Sequence, residues 1–240
     1  MEQKQYNIIK IDNDEYATPN KDYWDGMNKK KYDLNLKKSG IPEFYCNIEF
    51  SDYVGDLSKD NVHKLQAMVH NIFEPKFKDI SLYLWGSGAG VQKTASACNF
   101  GKGCIKKGLQ VRFMLFGSFV NYLMKLQGFH RDEEANEKIN DLKNADIIIL
   151  DDCFDPNKSM LWKKESSREL IVSEIDTFFR EHIYSKKRFV LTSNLSLDMV
   201  NKNYGVFLFE MLDRNFVQLN FLDSIKEVRK ERLGDNLWQQ

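Results

Sequence analysis

Five short, dense apolar runs alternate along the chain with longer segments in which apolar residues recur every three to four positions. Runs of this kind are typical of strands in a buried parallel sheet, and the periodic segments are typical of amphipathic helices. The predicted strands cover 80–85, 111–116, 147–150, 189–191 and 217–221. The predicted helices cover 61–72, 94–107, 118–126, 131–143, 167–184, 196–201 and 206–213.

Strands that alternate with helices imply right-handed crossovers and a parallel sheet with helices on both faces. We therefore predict an α/β fold with three layers, αβα. Ligands of such sheets bind beyond the carboxyl ends of the strands. Residues with chemistry to perform are expected at those ends.

The first 40 residues follow a different pattern, because they are polar and rich in Lys, Asp, Asn and Tyr. They include the basic run Lys29-Lys30-Lys31, and a turn signal at Gly40-Ile41-Pro42 follows them. We predict a small helical or irregular N-terminal segment over 1–50 and a separate α/β domain over 51–240.

Composition excludes several classes of protein. The chain of 240 residues is 42% apolar and 29% charged, as in ordinary globular proteins, and its 35 basic residues balance its 35 acidic ones. Any basic surface for nucleic acid must therefore be local. The N-terminus has no apolar signal core, and no apolar run reaches the roughly 18 residues that span a bilayer. The four cysteines have no CxxC spacing, so we expect free thiols, no membrane and a reducing cytoplasm.

A glycine-rich loop follows the first predicted strand and leads into a helix. Small residues at a helix N-terminus turn several backbone N–H groups toward a bound phosphate. A lysine then contacts the β- and γ-phosphates, and a hydroxyl ligates Mg²⁺. We predict that ATP is bound by Gly88, Ala89, Gly90, Val91, Gln92, Lys93 and Thr94, with Thr94 also a metal ligand.

This loop departs from the phosphate-loop pattern G-x-x-x-x-G-K-[ST]. With Lys93-Thr94 as the anchor, the two glycines of the pattern fall on Ser87 and Gln92. Gln92 is the more serious departure, because glycine there lets the backbone approach phosphate closely. The alternative is a glycine-rich turn that binds nothing.

Polar residues end two later strands. The third strand ends in Asp151-Asp152, and we assign Asp151 to the metal and Asp152 to the attacking water. Two acids that merely end an exposed strand are the alternative. The fourth strand ends in Thr192-Ser193-Asn194, where Asn194 is placed to reach the γ-phosphate or to orient that water.

Arginines and lysines provide weaker candidates. Arg214 could stabilise transition-state charge on a neighbouring subunit's γ-phosphate, with Arg180 as a second candidate. Either is equally well a surface arginine near a helix end. Two basic stretches with nearby aromatic residues suit phosphate contact and base stacking, although a solvated helix face with aromatic core residues beside it is the simpler interpretation. These residues are Lys102, Lys106, Lys107, Arg112, Phe113 and Phe116, together with Lys186, Lys187 and Arg188.

The ordered set resembles the AAA+ ATPases of the DnaC/DnaI type, the bacterial replicative helicase loaders, and especially the shorter loaders of phages. The likeness covers 41–221 and rests on Gly-Ile-Pro-Glu-Phe-Tyr, Leu-Tyr-Leu-Trp-Gly, Ile-Ile-Leu-Asp151-Asp152, Leu-Thr-Ser-Asn194 and Leu-Asp213-Arg214. It implies Mg-ATP binding, slow hydrolysis and oligomers that share ATP sites, with Arg214 as the arginine finger. It also implies single-stranded DNA and a DnaB-like helicase as partners, the helicase held by residues 1–50.

Three other functions remain open at this stage. The chain resembles the same lineage's transposition accessory proteins and DnaA-like initiators, although the roughly 20 residues after the last strand are too few for an initiator's helix-turn-helix module. It also suits a non-hydrolysing interaction protein in which Gln92 has abolished catalysis. A small-molecule kinase is the fourth possibility, but no acceptor pocket or arginine-bearing lid is identifiable.

Overall fold

The computed structural model describes residues 6–11, 14–19, 21–77, 79–87, 92–127, 132–155 and 165–222, with side chains from residue 26 onward except 165–168. The strands of the main sheet are β3 (Ser81–Trp85), β4 (Val111–Leu115), β5 (Ile147–Cys153), β6 (Arg188–Ser193) and β7 (Phe216–Asn220). All five were predicted from the sequence, each to within a few residues. Tertiary packing fixes their ends, which periodicity alone does not locate.

The helices also follow the predicted order. They are α3 (Lys59–His70), α4 (Lys93–Lys106), α5 (Phe116–Leu126), α6 (Glu133–Asn144), α7 (Glu165–Tyr184), α8 (Leu197–Tyr204) and α9 (Val206–Asn215). Side-chain caps fix two of the starts, since Asp132 accepts a hydrogen bond from the Ala135 N–H and Ser196 accepts one from Met199. In the part of the chain described, no helix is both long and apolar enough to cross a membrane.

The main sheet is parallel, with the strand order β4-β5-β6-β3-β7. Its inner strands are buried on both faces, and Ile147, Ile148, Ile149 and Leu150 have no exposed surface at all. Burial on both faces explains why these strands are continuous apolar runs rather than alternating ones.

Helices cover both faces of the sheet. One face carries an aromatic core in which Phe119, Phe178 and Phe179 pack beneath Phe189 of β6. The other face packs against α3 and α4 through smaller side chains such as Leu65 and Ala97. The predicted three-layer αβα architecture is confirmed.

The N-terminal segment contains more regular structure than its polar composition indicates. An antiparallel hairpin, β1 (Tyr6–Ile11) and β2 (Asp14–Pro19), precedes α1 (Lys21–Ser39) and the short α2 (Glu43–Cys46). The side chains of Tyr32 and Leu36 in α1 pack against the core on the α4 side of the sheet. The boundary at residue 50 stays a prediction, although the second half of this segment lies directly on the α/β domain.

Candidate functional site

The candidate site lies where the carboxyl ends of β3, β5 and β6 meet. Parallel pairing places Trp85 beside Ser193, and Cys153 beside the same Ser193. The alignment extends one residue into the glycine-rich loop, since the Gly86 N–H donates to the Ser193 carbonyl at 3.2 Å. Parallel register therefore brings together residues that are more than 100 positions apart in the sequence.

Lys93 lies at the start of α4 and is only 7% exposed. Its ammonium donates to the Gly86 carbonyl at 2.9 Å and to the Asn194 Oδ1 at 3.0 Å. The partial positive charge of a helix N-terminus adds to the charge of this ammonium. The two predicted residues Lys93 and Asn194 thus meet at a point that strongly favours an anion.

The hydroxyls of Thr94 and Thr192 converge on one carboxylate oxygen. Thr94 Oγ1 donates to Asp151 Oδ1 at 2.7 Å, and Thr192 Oγ1 donates to the same oxygen at 2.5 Å. Asp151 is 6% exposed, so these charge-assisted bonds hold an almost buried carboxylate in one orientation. Thr94 and Asp151, the predicted metal ligands, are in direct contact.

A β-bulge explains how two consecutive aspartates come to lie at one strand end. Between the pairs Leu150–Leu191 and Cys153–Ser193, Asp151 and Asp152 of β5 stand opposite the single residue Thr192 of β6. Asp152 has a φ of 60°, in the left-handed region, and its N–H donates to Thr192 Oγ1 at 3.0 Å. Bulges re-aim side chains in this way beside functional sites. Thr192 is the residue that binds both halves of the bulge.

Gln92 also adopts the left-handed conformation, with φ 60° and ψ 16°. A glycine would take this conformation without strain, so the backbone does at Gln92 what the phosphate-loop pattern requires. The side-chain amide of Gln92 is bound to the backbone of Val54, accepting from its N–H at 3.1 Å and donating to its carbonyl at 2.5 Å.

Residues 45–48 lie against α4 at two positions. The Tyr45 phenol lies near the Thr94 side chain, and burial, assisted by the nearby Asp151 carboxylate, raises the pKa of this phenol. Further along α4, the buried Lys102 ammonium donates to the carbonyls of Tyr45, Cys46 and Ile48. The positions of Tyr45 and Val54 beside the site, and the two hydrogen bonds of Thr192 within it, were not predicted from the sequence.

The other predicted loop residues, Gly88, Ala89, Gly90 and Val91, lie outside the described part of the chain. The arginine candidates lie elsewhere. Arg214 is 74% exposed beside Glu210 at 3.1 Å, two residues before β7 begins. Arg180 is paired with Asp176 of the same helix at 2.7 Å.

The predicted basic stretches do not form a DNA-binding surface as a whole. Lys102 is 2% exposed and donates to backbone carbonyls, and Arg188 is 8% exposed at the start of β6. Phe116 is buried in the aromatic core, which agrees with the simpler interpretation and excludes its stacking on a base. Arg112 is paired with Asp141 at 2.7 Å. Lys106 and Lys186 remain exposed.

The residues at the site fit a magnesium nucleotide. Hydroxyl and carboxylate oxygens are the ligands that Mg²⁺ prefers, and Thr94 and Asp151 provide one of each in contact. The ammonium of Lys93, at the head of a 14-residue helix, suits the adjoining phosphates.

A five-stranded parallel sheet in this order, with a phosphate-loop sequence between β3 and α4, defines a P-loop nucleotide-binding protein of the AAA+ type. The chain belongs to the family of IstB-like ATP binding proteins, whose profile matches residues 28–222. No curated protein sequence matches it.

Solved structures agree on the fold. The DnaC helicase loader is similar at 22% identity with a TM-score of 0.59, over 75% of this chain and 99% of the DnaC chain. DnaI is similar at 16% identity with a TM-score of 0.59, over 78% of this chain and 96% of that one. AMPPCP-bound DnaA from Aquifex aeolicus is similar at 16% identity with a TM-score of 0.60, over 84% of this chain and 58% of DnaA.

Proposed function

We propose that this protein hydrolyses Mg-ATP and uses that cycle to load a DnaB-like replicative helicase onto single-stranded DNA, during phage replication in the host cytoplasm. ATP binding and hydrolysis are inferred from one observation. At the carboxyl ends of the strands, four predicted residues come together: Lys93, Thr94, Asp151 and Asn194. The likeness to the DnaC loader and to DnaI supports the loading part.

In the proposed site, the Lys93 ammonium gives up part of its hydrogen bonding to Gly86 and Asn194 and turns toward the β- and γ-phosphates. Thr94 and Asp151 hold Mg²⁺, which neutralises phosphate charge when bound. Asp152, one residue further along the bulge, takes the proton of the attacking water. Asn194 orients that water or contacts the γ-phosphate. The work of catalysis is therefore positioning and charge stabilisation.

Arg214 is proposed to act in the ATP site of a neighbouring copy. It precedes β7, whereas the phosphate loop lies beyond the opposite ends of the strands. Five residues of strand at about 3.3 Å each separate the two edges by roughly 15 Å, too far for Arg214 to reach its own site. A homo-oligomer with shared ATP sites brings the two together.

The alternative is an accessory ATPase of DNA transposition. The match to IstB-like ATP binding proteins is broad enough to include it. It uses the same ATP site, so the identity of the partner distinguishes the two functions.

Nucleotide binding is tested by titrating the protein with a fluorescent ATP analogue, with and without Mg²⁺. Lys93→Ala should abolish the signal, because the ammonium at the helix start is lost. Lys106→Ala removes an exposed lysine at the other end of the same helix and is the matched control. Equal binding by the Lys93 variant and the wild type would refute the ATPase proposal.

Helicase loading is tested by capture of a purified DnaB-like hexamer on immobilised full-length protein. Replacing Lys29, Lys30 and Lys31 by Glu reverses an exposed charge cluster on α1 without touching the core. We expect this variant to lose capture and Lys186→Glu to retain it. Capture of a transposase in place of the helicase would favour the alternative function.

The role of Arg214 is tested by mixing inactive Arg214→Ala subunits with inactive Lys93→Ala subunits. If Arg214 acts in trans, some interfaces of the mixed oligomer regain an intact site and hydrolysis partly recovers. No recovery would mean that Arg214 is a surface arginine paired with Glu210.

A further inference from the structure

The side-chain amide of Gln92 pairs with both backbone groups of Val54. One amide oxygen accepts from the Val54 N–H at 3.1 Å and the amide nitrogen donates to the Val54 carbonyl at 2.5 Å. A primary amide presents an acceptor and a donor side by side, so it pairs with a peptide much as a neighbouring strand would. The two residues are 38 positions apart, so the pair joins separate parts of the chain.

The segment that contains Val54 is fixed at its other side to the end of β7. The Leu222 N–H donates to Ser58 Oγ at 2.7 Å, and Asn61 Nδ2 donates to the Asn220 carbonyl at 2.6 Å. The ring of Tyr53 meets Phe221 edge-on, with 6.2 Å between centroids. Residues 53–61 therefore bridge the end of β7 and Gln92, the residue that precedes α4.

We propose that Gln92 is a positioning residue that couples the phosphate loop to the segment before α3. The bond to Val54 holds Gln92 in its left-handed conformation, which sets the direction in which the chain enters Lys93 and Thr94. Nucleotide bound at Lys93 and Thr94 then stabilises residues 53–58 through this pair. By reciprocity, a partner that binds and stabilises residues 53–58 changes nucleotide affinity by the same factor as nucleotide changes the affinity for that partner.

The coupling rests on the proposed nucleotide binding, but the hydrogen-bonded pair of Gln92 and Val54 does not. Tyr45 of α2 also lies near Thr94, so the chain that leaves the N-terminal segment approaches the start of α4 at two positions. A partner bound to that N-terminal segment is thereby connected to the nucleotide site by side-chain contacts.

The test measures hydrogen–deuterium exchange of the Val54 amide by NMR in the wild type, Gln92→Glu and Gln92→Gly, each with and without saturating ADP. Glutamate has the same shape but cannot donate to the Val54 carbonyl, and glycine keeps the left-handed backbone while removing the pair. Gln66→Glu on the exposed side of α3 is the control for charge.

We expect Val54 exchange to be roughly ten-fold faster in Gln92→Gly than in the wild type, as loss of one hydrogen bond implies. Saturating ADP should slow this exchange in the wild type and in Gln66→Glu, and change it little in both Gln92 variants. Equal Val54 exchange in wild type and both variants would overturn the pair. An equal response to ADP would overturn the coupling. Failure of the wild type to bind ADP would instead refute the proposed function, with exchange in the nucleotide-free proteins still deciding whether the pair exists.

Discussion

Replacing Thr192 by Val tests the bulge that presents both aspartates. The hydroxyl of Thr192 donates to Asp151 Oδ1 at 2.5 Å and accepts from the Asp152 N–H at 3.0 Å. Valine has nearly the same shape and can do neither. The substitution therefore removes two hydrogen bonds from a residue that is 1% exposed and leaves packing almost unchanged.

The loss of stability in Thr192→Val depends on the two groups that the hydroxyl had bound, the Asp152 N–H and the Asp151 carboxylate. The Asp152 N–H loses its acceptor, which costs about 1–3 kcal/mol when water cannot replace it. The nearly buried Asp151 carboxylate keeps the bond from Thr94, so it loses only part of its support. We expect the free energy of unfolding to fall by about 2–4 kcal/mol. Turnover should fall about ten- to a hundred-fold as well, since small displacements of catalytic groups cost that much.

Urea unfolding and ATP turnover measure the two effects. Thr192→Ser keeps the hydroxyl and loses one methyl group, so it should lose only about 1 kcal/mol and keep most of its turnover. Ser193→Ala is a second control, because Ser193 is equally buried but bonds the Cys153 carbonyl rather than a carboxylate. If Thr192→Val proves as stable and active as Thr192→Ser, the hydroxyl does not hold the bulge and our reasoning is wrong.

Two further substitutions test the core and the N-terminal attachment. Lys102→Met should lower the free energy of unfolding by about 1–3 kcal/mol and expose residues 43–48 to proteolysis, because three carbonyls lose their donor, whereas the exposed Lys106→Met should do neither. Burial lowers the pKa of His182, with help from Lys143 and Lys187 and against the hydrogen bond to the Phe178 carbonyl and the charge of Glu181. The His182 ring stacks on Phe178 with 4.0 Å between the ring centroids. The unfolded chain then binds the proton more tightly, so stability should fall as pH drops below about 6.5. His182→Phe should flatten the decline of the urea midpoint between about pH 7 and pH 5, and His63→Gln should not.

The sheet could be predicted because its strands are buried on both faces. Ile147, Ile148, Ile149 and Leu150 form an uninterrupted apolar run, which no surface helix shows. The hairpin of β1 and β2 was not predicted from the sequence. Its strands carry apolar residues such as Ile8, Ile9 and Ile11, but they are short and lie in a segment that is polar as a whole.

The site was predictable to the extent that parallel strands determine it. Lys93, Thr94, Asp151 and Asn194 each follow or end a strand, so a parallel sheet brings them to one edge. The bulge was not predictable, since its register depends on one hydroxyl from another strand. Tyr45 was not predictable either, because nothing in its local sequence specifies that its phenol lies near Thr94 and Asp151.

Gln92 departs from the phosphate-loop sequence pattern, but its backbone conformation is one that glycine adopts without strain. A phosphate loop has glycine at this position for a backbone conformation and for close approach to phosphate. The conformation is present, and the side chain that could obstruct the approach is bound to Val54. The position of the Gln92 side chain thus depends on Val54, which is 38 positions away in the sequence. Sequence alone would count Gln92 as evidence for a protein that has lost hydrolysis. The backbone of Gln92 is left-handed and its side chain is attached to Val54, so Gln92 by itself is not evidence that hydrolysis is lost.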